Sequence, residues 1–181
     1  MNLSAKKELL KLARDSIQAY FSGKEIATSK FKEKKGVFVS IYSNNKLLGC
    51  IGYVFPIKPL GKAVIECARL AAFSDPRFPS LKKGQKYKLE ISVLSKPKLI
   101  KEKEPKKILS KIKLGKHGII IDFKGLVGVL LPQVAVEHKL SKEAFLEACC
   151  HKAFLHGDCW KSKDCRVYIF TTEIIKERKE K

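Results

Sequence analysis

Two pairs of apolar segments, each joined by a short turn signal, constrain the fold of this chain more than any other feature. The first pair, 36–43 and 46–54, is rich in β-branched and aromatic residues and brackets Asn44-Asn45. The second pair flanks Lys124-Gly125 in the same way. Two-residue turns of this kind join antiparallel strands. The sequence therefore predicts two β-hairpins, which any fold must place in antiparallel sheets.

Helical periodicity occurs between and around these hairpins. Residues 4–20 place apolar side chains on one face, and Ser4 is the expected N-cap. Further helices are predicted over 60–74, 105–112 and 141–154, the last with Ser141 as its N-cap.

The rest of the chain reads as strands and irregular segments. Strands are predicted over 86–95 and, as one final strand, over 165–175, with a charged loop at 96–104. Hairpins mixed with helices, without strict βαβ alternation, predict an α+β fold. We expect a mainly antiparallel sheet with flanking helices.

The net charge of +20 is concentrated in one segment. Between Lys82 and Lys116 there are 13 lysines and three glutamates, a net charge of +10. Such a surface attracts nucleic acid or an acidic protein. Lysines outnumber arginines 33 to five, however, and Tyr87 is the only aromatic residue in the segment. Because arginine and aromatic side chains read phosphates and bases best, we expect weak, non-specific nucleic-acid binding, and a solvated lysine surface also explains the charge.

Targeting and redox signals indicate a cytoplasmic protein. The segment 1–16 is charged throughout and lacks the apolar stretch of a signal peptide. No apolar run approaches the roughly 18 residues that a membrane span needs. The cytosol keeps thiols reduced, so we expect the six cysteines to be free thiols rather than a disulfide framework.

The segment LLGCIG, 47–52, places Cys50 between two glycines inside a predicted strand. Glycine weakens a strand and is tolerated where the strand bulges or where another group approaches the backbone. Gly49 and Gly52 therefore allow two interpretations. Either Cys50 is a small buried residue beside a bulge, or the glycines give a substrate access to a thiolate stabilised by a cation. The candidate cations are Arg77, His117 and Lys152.

A second candidate residue is Arg77, which lies between two prolines in DPRFP, 75–79. A rigid loop that presents one guanidinium suits a carboxylate or a phosphate. The alternative is that Arg77 hydrogen-bonds the carbonyl groups at the end of the preceding helix, near Phe73 and Ser74. Both interpretations stay open at the level of the sequence.

A third group of polar residues follows the second hairpin. Pro132 is predicted to end the strand, so Gln133, Glu137 and His138 come at a strand-to-loop exit, where binding sites are common. A glutamate beside a histidine can transfer protons, but surface solvation is the simpler explanation.

The segment 149–165 holds four cysteines and two histidines. These are the ligands that zinc prefers, but the segment has no C-x-x-C pair. Only His156 and Cys159 have ligand-like spacing, and Cys150 and His151, as neighbours on a helix, point in different directions. Packed thiols and surface histidines are therefore the favoured interpretation, and no metal site is predicted.

Taken together, these motifs resemble the AMMECR-one domain family. LLGCIG is similar to the typical hexapeptide of the family, except that Leu48 stands where the family usually has arginine. The other matching elements, in the family's order, are Asp75 with Arg77-Phe78-Pro79, His117-Gly118, Leu130–Ala135 with Glu137, Cys150 with Lys152-Ala153, and Trp160. The matches extend over residues 5–176.

The resemblance implies a single α+β domain over 1–176, followed by a charged C-terminal tail over 177–181. It further implies a larger and a smaller lobe and a cleft whose walls include the Cys50 segment. It does not imply a particular activity or cofactor. It does imply an association with Memo-like and radical-SAM proteins in a modification pathway.

The leading hypothesis is a cytoplasmic protein that binds a small or nucleotide-like ligand near Cys50, with thiol-dependent catalysis as an extension. Predicted for catalysis are Cys50 as nucleophile and His117 and Glu137 for proton transfer. Predicted for ligand binding are Gly49, Gly52, Asp75, Arg77, Gln133 and Lys152. The alternative hypothesis is a non-enzymatic adaptor or nucleic-acid-binding protein that uses the lysine-rich segment.

Overall fold

The computed structural model describes residues 1–177, so residues 178–181 of the predicted tail lie outside the described part. The helices are α1 (Leu3–Phe21), α2 (Leu60–Phe73), α3 (Pro105–Lys111), α4 (Pro132–Glu137) and α5 (Lys142–Lys152), followed by a 3₁₀ helix (Gly157–Lys161). The strands are β1 (Val37–Ser43), β2 (Lys46–Tyr53), β3 (Lys88–Leu94), β4 (Lys98–Leu99), β5 (Gly118–Phe123), β6 (Leu126–Leu130), β7 (Cys165–Phe170) and β8 (Thr172–Lys176). Within residues 1–177 the strands form two four-stranded sheets, which confirms the predicted α+β class. None of the helices described here is long and apolar enough to cross a membrane.

The chain divides into two compact units. The first contains Met1–Leu94 and the chain from Glu173 onward, and the second contains Ser95–Thr172. The second unit is therefore inserted between β3 and β8, which are neighbouring strands of the first sheet.

The core of the first unit lies between one face of its sheet and the helices α1 and α2. The strand order is β2-β1-β3-β8, and β1 pairs in antiparallel register with both β2 and β3. Alternate residues of β1, namely Val37, Val39 and Ile41, are fully buried in a core shared with the two helices. Because side chains alternate along a strand, the residues between them face the other side of the sheet.

The core of the second unit packs α5 against its sheet, whose strand order is β4-β7-β5-β6. Ile119 and Ile121 of β5 are fully buried with Phe145 and Cys149 of α5. The helix approaches β6 closely at Gly128, where an added Cβ would lie 2.2 Å from the carbonyl oxygen of Cys149.

Both predicted hairpin turns are confirmed. Asn44 and Asn45 have φ values of +49° and +62°, and Lys124 and Gly125 have φ values of +51° and +89°. Two consecutive positive φ angles define the turn whose twist matches that of the strands it joins.

Three of the predicted elements were wrong. The apolar run 165–175 is not one strand: it forms β7 of the second sheet and β8 of the first, with Thr171 between them. Residues after the second hairpin form α4 rather than a loop, because Pro132 lacks the N–H that a helix start leaves unpaired and has a suitable φ. The segment 96–104 contains the short strand β4, which pairs with β7.

The residue Glu177, assigned to the tail, belongs to the first unit. Its carboxylate accepts hydrogen bonds from Arg14 Nη2 at 2.6 Å and from the Leu89 N–H at 2.9 Å. The Glu177 carboxylate therefore joins α1 to β3.

The N-cap of α1 lies two residues before the predicted one. The helix begins at Leu3, and its N-cap is Asn2 rather than Ser4. The Asn2 side-chain oxygen accepts the Ala5 N–H at 2.9 Å, as an N-cap must. Ser4 is exposed inside the helix.

We predict that Asn2→Ala lowers the free energy of unfolding by about 1 kcal/mol, because the Ala5 N–H loses its acceptor. Ser4→Ala is the matched control and should leave stability unchanged or slightly raised, since alanine is the better helix former. Chemical unfolding of both variants measures the difference. Equal effects would show that the cap does not stabilise α1.

Candidate functional site

Asp75 connects the Cys50 segment to the loop that follows α2. Its side chain is fully buried, and Oδ2 accepts a hydrogen bond from the Cys50 N–H at 2.9 Å. Arg77 donates to both carboxylate oxygens, from Nε to Oδ1 at 2.9 Å and from Nη2 to Oδ2 at 2.8 Å. Because Arg77 and then the backbone N–H groups stabilise the charged form, the pKa of Asp75 falls to about 2.

Arg77 also binds the backbone of Cys50 directly. Its Nη2 donates to the Cys50 carbonyl oxygen at 2.8 Å. Since β2 is an edge strand of the first sheet, the outward backbone groups of Cys50 have no neighbouring strand to pair with. Asp75 and Arg77 pair with both of them, so the DPRFP loop covers this part of the edge.

The alternative role of Arg77, at the carbonyl groups that end α2, is filled by other residues. The Ser80 hydroxyl donates to the Phe73 carbonyl at 3.1 Å, and the Leu81 N–H donates to the Ala72 carbonyl at 2.8 Å. Half of the Arg77 side chain remains exposed.

Three polar side chains lie in register across the first sheet, on the face away from α1 and α2. Ser40 of β1 is paired with Cys50 of β2 on one side and with Glu90 of β3 on the other. We call Cys50, Ser40 and Glu90 the polar row. The Ser40 hydroxyl donates to the Cys50 sulfur at 3.2 Å, and Glu90 pairs with Lys176 of β8 at 2.8 Å. Ser40 and Glu90 are buried, and Cys50 is half-buried.

The environment of Cys50 favours a neutral thiol. Burial raises the pKa of Cys50 above its ordinary value, and the carboxylates of Asp75 and Glu90 act in the same direction. The hydrogen bond from Ser40 and the charge of Arg77 oppose that rise only in part. The sulfur is therefore protonated at neutral pH, whereas the nucleophile hypothesis requires a thiolate.

Packing against different neighbours explains each of the two glycines that flank Cys50. At Gly49 an added Cβ would lie 1.9 Å from the Ala71 carbonyl oxygen, so this glycine lets α2 approach β2. At Gly52 an added Cβ would lie 2.5 Å from the ring of Phe38, which covers it from β1. Protein atoms occupy both positions, so neither glycine is needed for ligand access.

The other predicted site residues belong to the second unit. His117 Nδ1 accepts the Lys113 N–H at 3.3 Å, and burial, with help from nearby lysines, lowers the pKa of His117. Gln133 lies on α4, and its buried Oε1 has no hydrogen-bond partner among the described residues. Glu137 is the last residue of α4 and Lys152 is the last residue of α5, and both are exposed.

The expectation of six free thiols was wrong for one pair. Cys150 of α5 and Cys159 of the 3₁₀ helix form a disulfide, with their Cα atoms 6.2 Å apart. Spacing alone could not reveal this pair, because it depends on how the chain turns back after α5. The free cysteines in the described part of the chain are Cys50, Cys67, Cys149 and Cys165.

The lysine-rich segment is shared between the two units. The chain leaves the first unit at Leu94, inside the segment from Lys82 to Lys116. Two of its glutamates are paired within the second unit, Glu102 with Lys111 at 2.9 Å and Glu104 with Lys107 at 3.0 Å. The segment thus contributes residues to both units.

Sequence reasoning missed Ser40 and Glu90. Both lie on strands that were predicted from their apolar residues alone. The signal that could have identified them is a polar residue in the middle of each strand. The register that joins them to Cys50 is a property of the folded sheet.

The sequence profile of the AMMECR1 family matches residues 10–175, and the chain belongs to this family. A protein of Methanopyrus kandleri is 42% identical over 179 residues, which cover 93% of this chain and 86% of that protein. A protein of Aquifex aeolicus is 41% identical over 182 residues, with coverage of 95% and 92%. The crystal structure of an uncharacterized protein of Pyrococcus horikoshii superposes with a TM-score of 0.87 at 42% identity, covering 94% of this chain and 90% of that one. The resemblance identified from the motifs is thereby confirmed.

We predict that Gly49→Ala costs about 1–3 kcal/mol of stability, because the new Cβ displaces the backbone of α2. Gly157→Ala is the control, since the nearest atom there, 3.1 Å away, belongs to the His151 side chain, which can move. Thermal and chemical unfolding measure both variants. A Gly49→Ala protein as stable as the control would remove the packing explanation for this glycine.

The Asp75 ion pair predicts a pH dependence of stability. The pKa of Asp75 is lowered from 3.8 to about 2 in the folded state. Its stabilisation is therefore complete above pH 3.8 and is lost as the pH falls toward 2.

We predict that Asp75→Asn lowers the free energy of unfolding by about 2 kcal/mol at neutral pH. The difference from the natural protein should shrink as the pH is lowered toward 2. Asp15→Asn is the control, because Asp15 forms an exposed pair with Lys11 and should change stability little. A difference that stays constant across the acid range would contradict the assignment.

Proposed function

We propose that the protein binds a small ligand on the polar face of the first sheet, with Cys50 as a contact residue. The observation that carries this proposal is the polar row, three hydrogen-bonding side chains in register across adjacent strands. The same strands present apolar side chains to the core on their other face. Buried polar groups cost free energy unless they are paired, so a sheet that served packing alone would not need them here.

Arg77 supports a ligand with a carboxylate or a phosphate. Its hydrogen bonds within the described chain use Nε and Nη2. A guanidinium has five N–H donors, so the two on Nη1 are available to a ligand. An anionic group at Nη1 would bring the rest of the ligand, a nucleotide included, close to Cys50.

The neutral thiol of Cys50 determines what thiol chemistry the site can perform. A thiol becomes an effective nucleophile only when it loses its proton. Ser40 donates to the sulfur and so favours the thiolate once the proton leaves. Thiol-dependent catalysis therefore needs a proton acceptor after ligand binding. His117 and Glu137, the residues predicted for proton transfer, belong to the second unit.

Two other predictions remain beside this proposal. The adaptor and nucleic-acid hypotheses are supported by the net charge of +20, and no site geometry favours them. Participation in a modification pathway with Memo-like and radical-SAM proteins is supported by the family resemblance.

The first test is alkylation of the native protein with iodoacetamide, followed at each cysteine across a range of pH. Cys50 should react before Cys67, because Cys67 is fully buried in the same unit and burial raises its pKa to about 12. The Cys50 rate should keep rising above pH 9.0, the ordinary value for a thiol. Ser40→Ala should slow the alkylation of Cys50 at every pH below 9.0, because the thiolate loses the hydrogen bond from Ser40.

The same assay then tests ligand binding. Nucleotides and small carboxylates at millimolar concentration should include compounds that protect Cys50 without slowing Cys165. Arg77→Lys should weaken that protection, because lysine cannot donate to Asp75, Cys50 and an anion together. If Cys50 reacts only on unfolding, or if no compound of either class protects it, the proposal is wrong.

A further inference from the structure

The second sheet ends in an edge strand, β6, whose outer side pairs with no other strand in the described part of the chain. Its register with β5 runs without a break from Leu126 to Leu130. Leu126 and Val127 are 52% and 41% exposed. An uncovered apolar edge strand is a template on which another strand can pair, so β6 can accept a further strand.

Two residues of β6 direct their backbone groups away from β5. The turn at 124–125 has two residues, so the residues that flank it, Phe123 and Leu126, form a hydrogen-bonded pair. Hydrogen-bonded and non-hydrogen-bonded pairs alternate along an antiparallel ladder. The N–H and carbonyl groups of Val127 and Val129 therefore point outward. Among the described residues, neither valine has a hydrogen-bond partner on that side.

The other three sheet edges in the described part of the chain are protected. On β2 the DPRFP loop binds the outward groups of Cys50, and β4 is only two residues long. The edge strand β8 carries the charged side chains of Glu173 and Lys176. Loops, short strands and charged side chains are the usual protections of an edge. In contrast, β6 is uncharged and regular and contains no proline, which indicates an edge that serves pairing.

The sequence of β6 identifies the strand that fits it. Residues 126–130 read Leu-Val-Gly-Val-Leu, a palindrome centred on Gly128. When two copies pair antiparallel about a twofold axis at this glycine, Val127 of each copy lies opposite Val129 of the other. These valines have the outward backbone groups, so each opposite pair exchanges two hydrogen bonds. The axis generates two such pairs, and the leucines at the two ends of the strand also lie opposite each other.

The distribution of charge permits a second copy, although the whole chain carries a net charge of +20. No charged residue occurs between Lys124 and Glu137. In the palindromic register Lys124 lies opposite Pro132 of the other copy, and its ammonium group is already paired with Asp164 at 3.7 Å. Like charges directly opposite each other destabilise a strand pair, and this register places none there.

Pairing through β6 ends with two copies. One edge of the second sheet is β6, and the other is β4. Two sheets joined through β6 therefore have a β4 strand at each end, and β4 is too short to accept a further sheet. A twofold interface uses the same surface of both copies, so the assembly closes as a dimer.

We propose that β6 is an interaction surface for a second copy of this chain, whose own β6 pairs antiparallel about Gly128 to form a dimer. This pairing explains together the unprotected edge, the outward groups of Val127 and Val129, and the palindromic sequence. A charged partner would find no complementary charge on β6. The inference does not depend on ligand binding at Cys50.

The first test measures amide hydrogen exchange of the full chain by NMR at several protein concentrations, with sedimentation velocity at the same concentrations. Exchange at Val127 and Val129 should slow as the dimer forms, because their N–H groups gain acceptors. The Gly128 N–H faces β5 in both states and is the internal control. A protein that stays monomeric would overturn the proposal, and so would a dimer in which both valines exchange as fast as in the monomer.

The second test introduces a charge at the exposed end of β6. Val127→Lys should weaken dimerisation about tenfold, because both valine pairs lose apolar burial. Val127→Thr is the matched control and should leave the dimer largely intact, because threonine is also β-branched and uncharged. Thermal unfolding checks that each variant is folded. If the folded Val127→Lys protein dimerises as well as the natural chain, β6 is not the interface.

Mixing of two variants tests the register. Val127→Lys and Val129→Glu should each dimerise weakly alone but should associate with each other, because position 127 of one copy lies opposite position 129 of the other. Val127→Glu is the control partner, since its carboxylate lies diagonal to the introduced lysine and should support a weaker mixed dimer. Equal association of the lysine variant with both glutamate variants, or with neither, would refute pairing about Gly128.

Discussion

The buried carboxylate of Asp75 holds the candidate site together. It accepts the Cys50 N–H from the edge strand and two hydrogen bonds from the Arg77 guanidinium, which in turn reaches the Cys50 carbonyl. A buried charge is stable only when it is paired and hydrogen-bonded. The position of the edge strand, the order of the loop after α2 and the direction of Arg77 therefore all depend on one ion pair.

That ion pair also affects the pKa of the Cys50 thiol. Arg77 lies beside Cys50 but is paired with the Asp75 carboxylate, whose negative charge acts on the thiol in the opposite direction. The guanidinium therefore offsets only part of the rise in the Cys50 pKa that burial causes. The sheet face is thereby suited to recognition by hydrogen bonds and by one half-exposed guanidinium. A reactive cysteine of the usual kind has an unshared cation or a helix N-terminus beside it, and neither is described at this sulfur.

Much of the fold could be predicted from the sequence, because hairpin turns and apolar periodicity are local properties. Asn44-Asn45, Lys124-Gly125 and the N-cap Ser141 are examples. What could not be predicted depends on contacts between distant segments. The run 165–175 reads as one strand because it is rich in β-branched and aromatic residues, and only the pairing in the two sheets divides it. At the site, motifs identified Cys50 and Arg77, but the register that adds Ser40 and Glu90 exists only after folding.

The insertion of the second unit between β3 and β8 has a consequence for biosynthesis. A ribosome releases Ser95–Thr172 in one continuous piece, so that unit can fold as soon as it emerges. The first sheet must wait, because its fourth strand follows the whole second unit along the chain. Until then the outer edge of β3 is unpaired and able to join another chain. Nascent molecules are thus most exposed to aggregation in the interval between the synthesis of β3 and that of β8, and loss of β8 would make that state permanent.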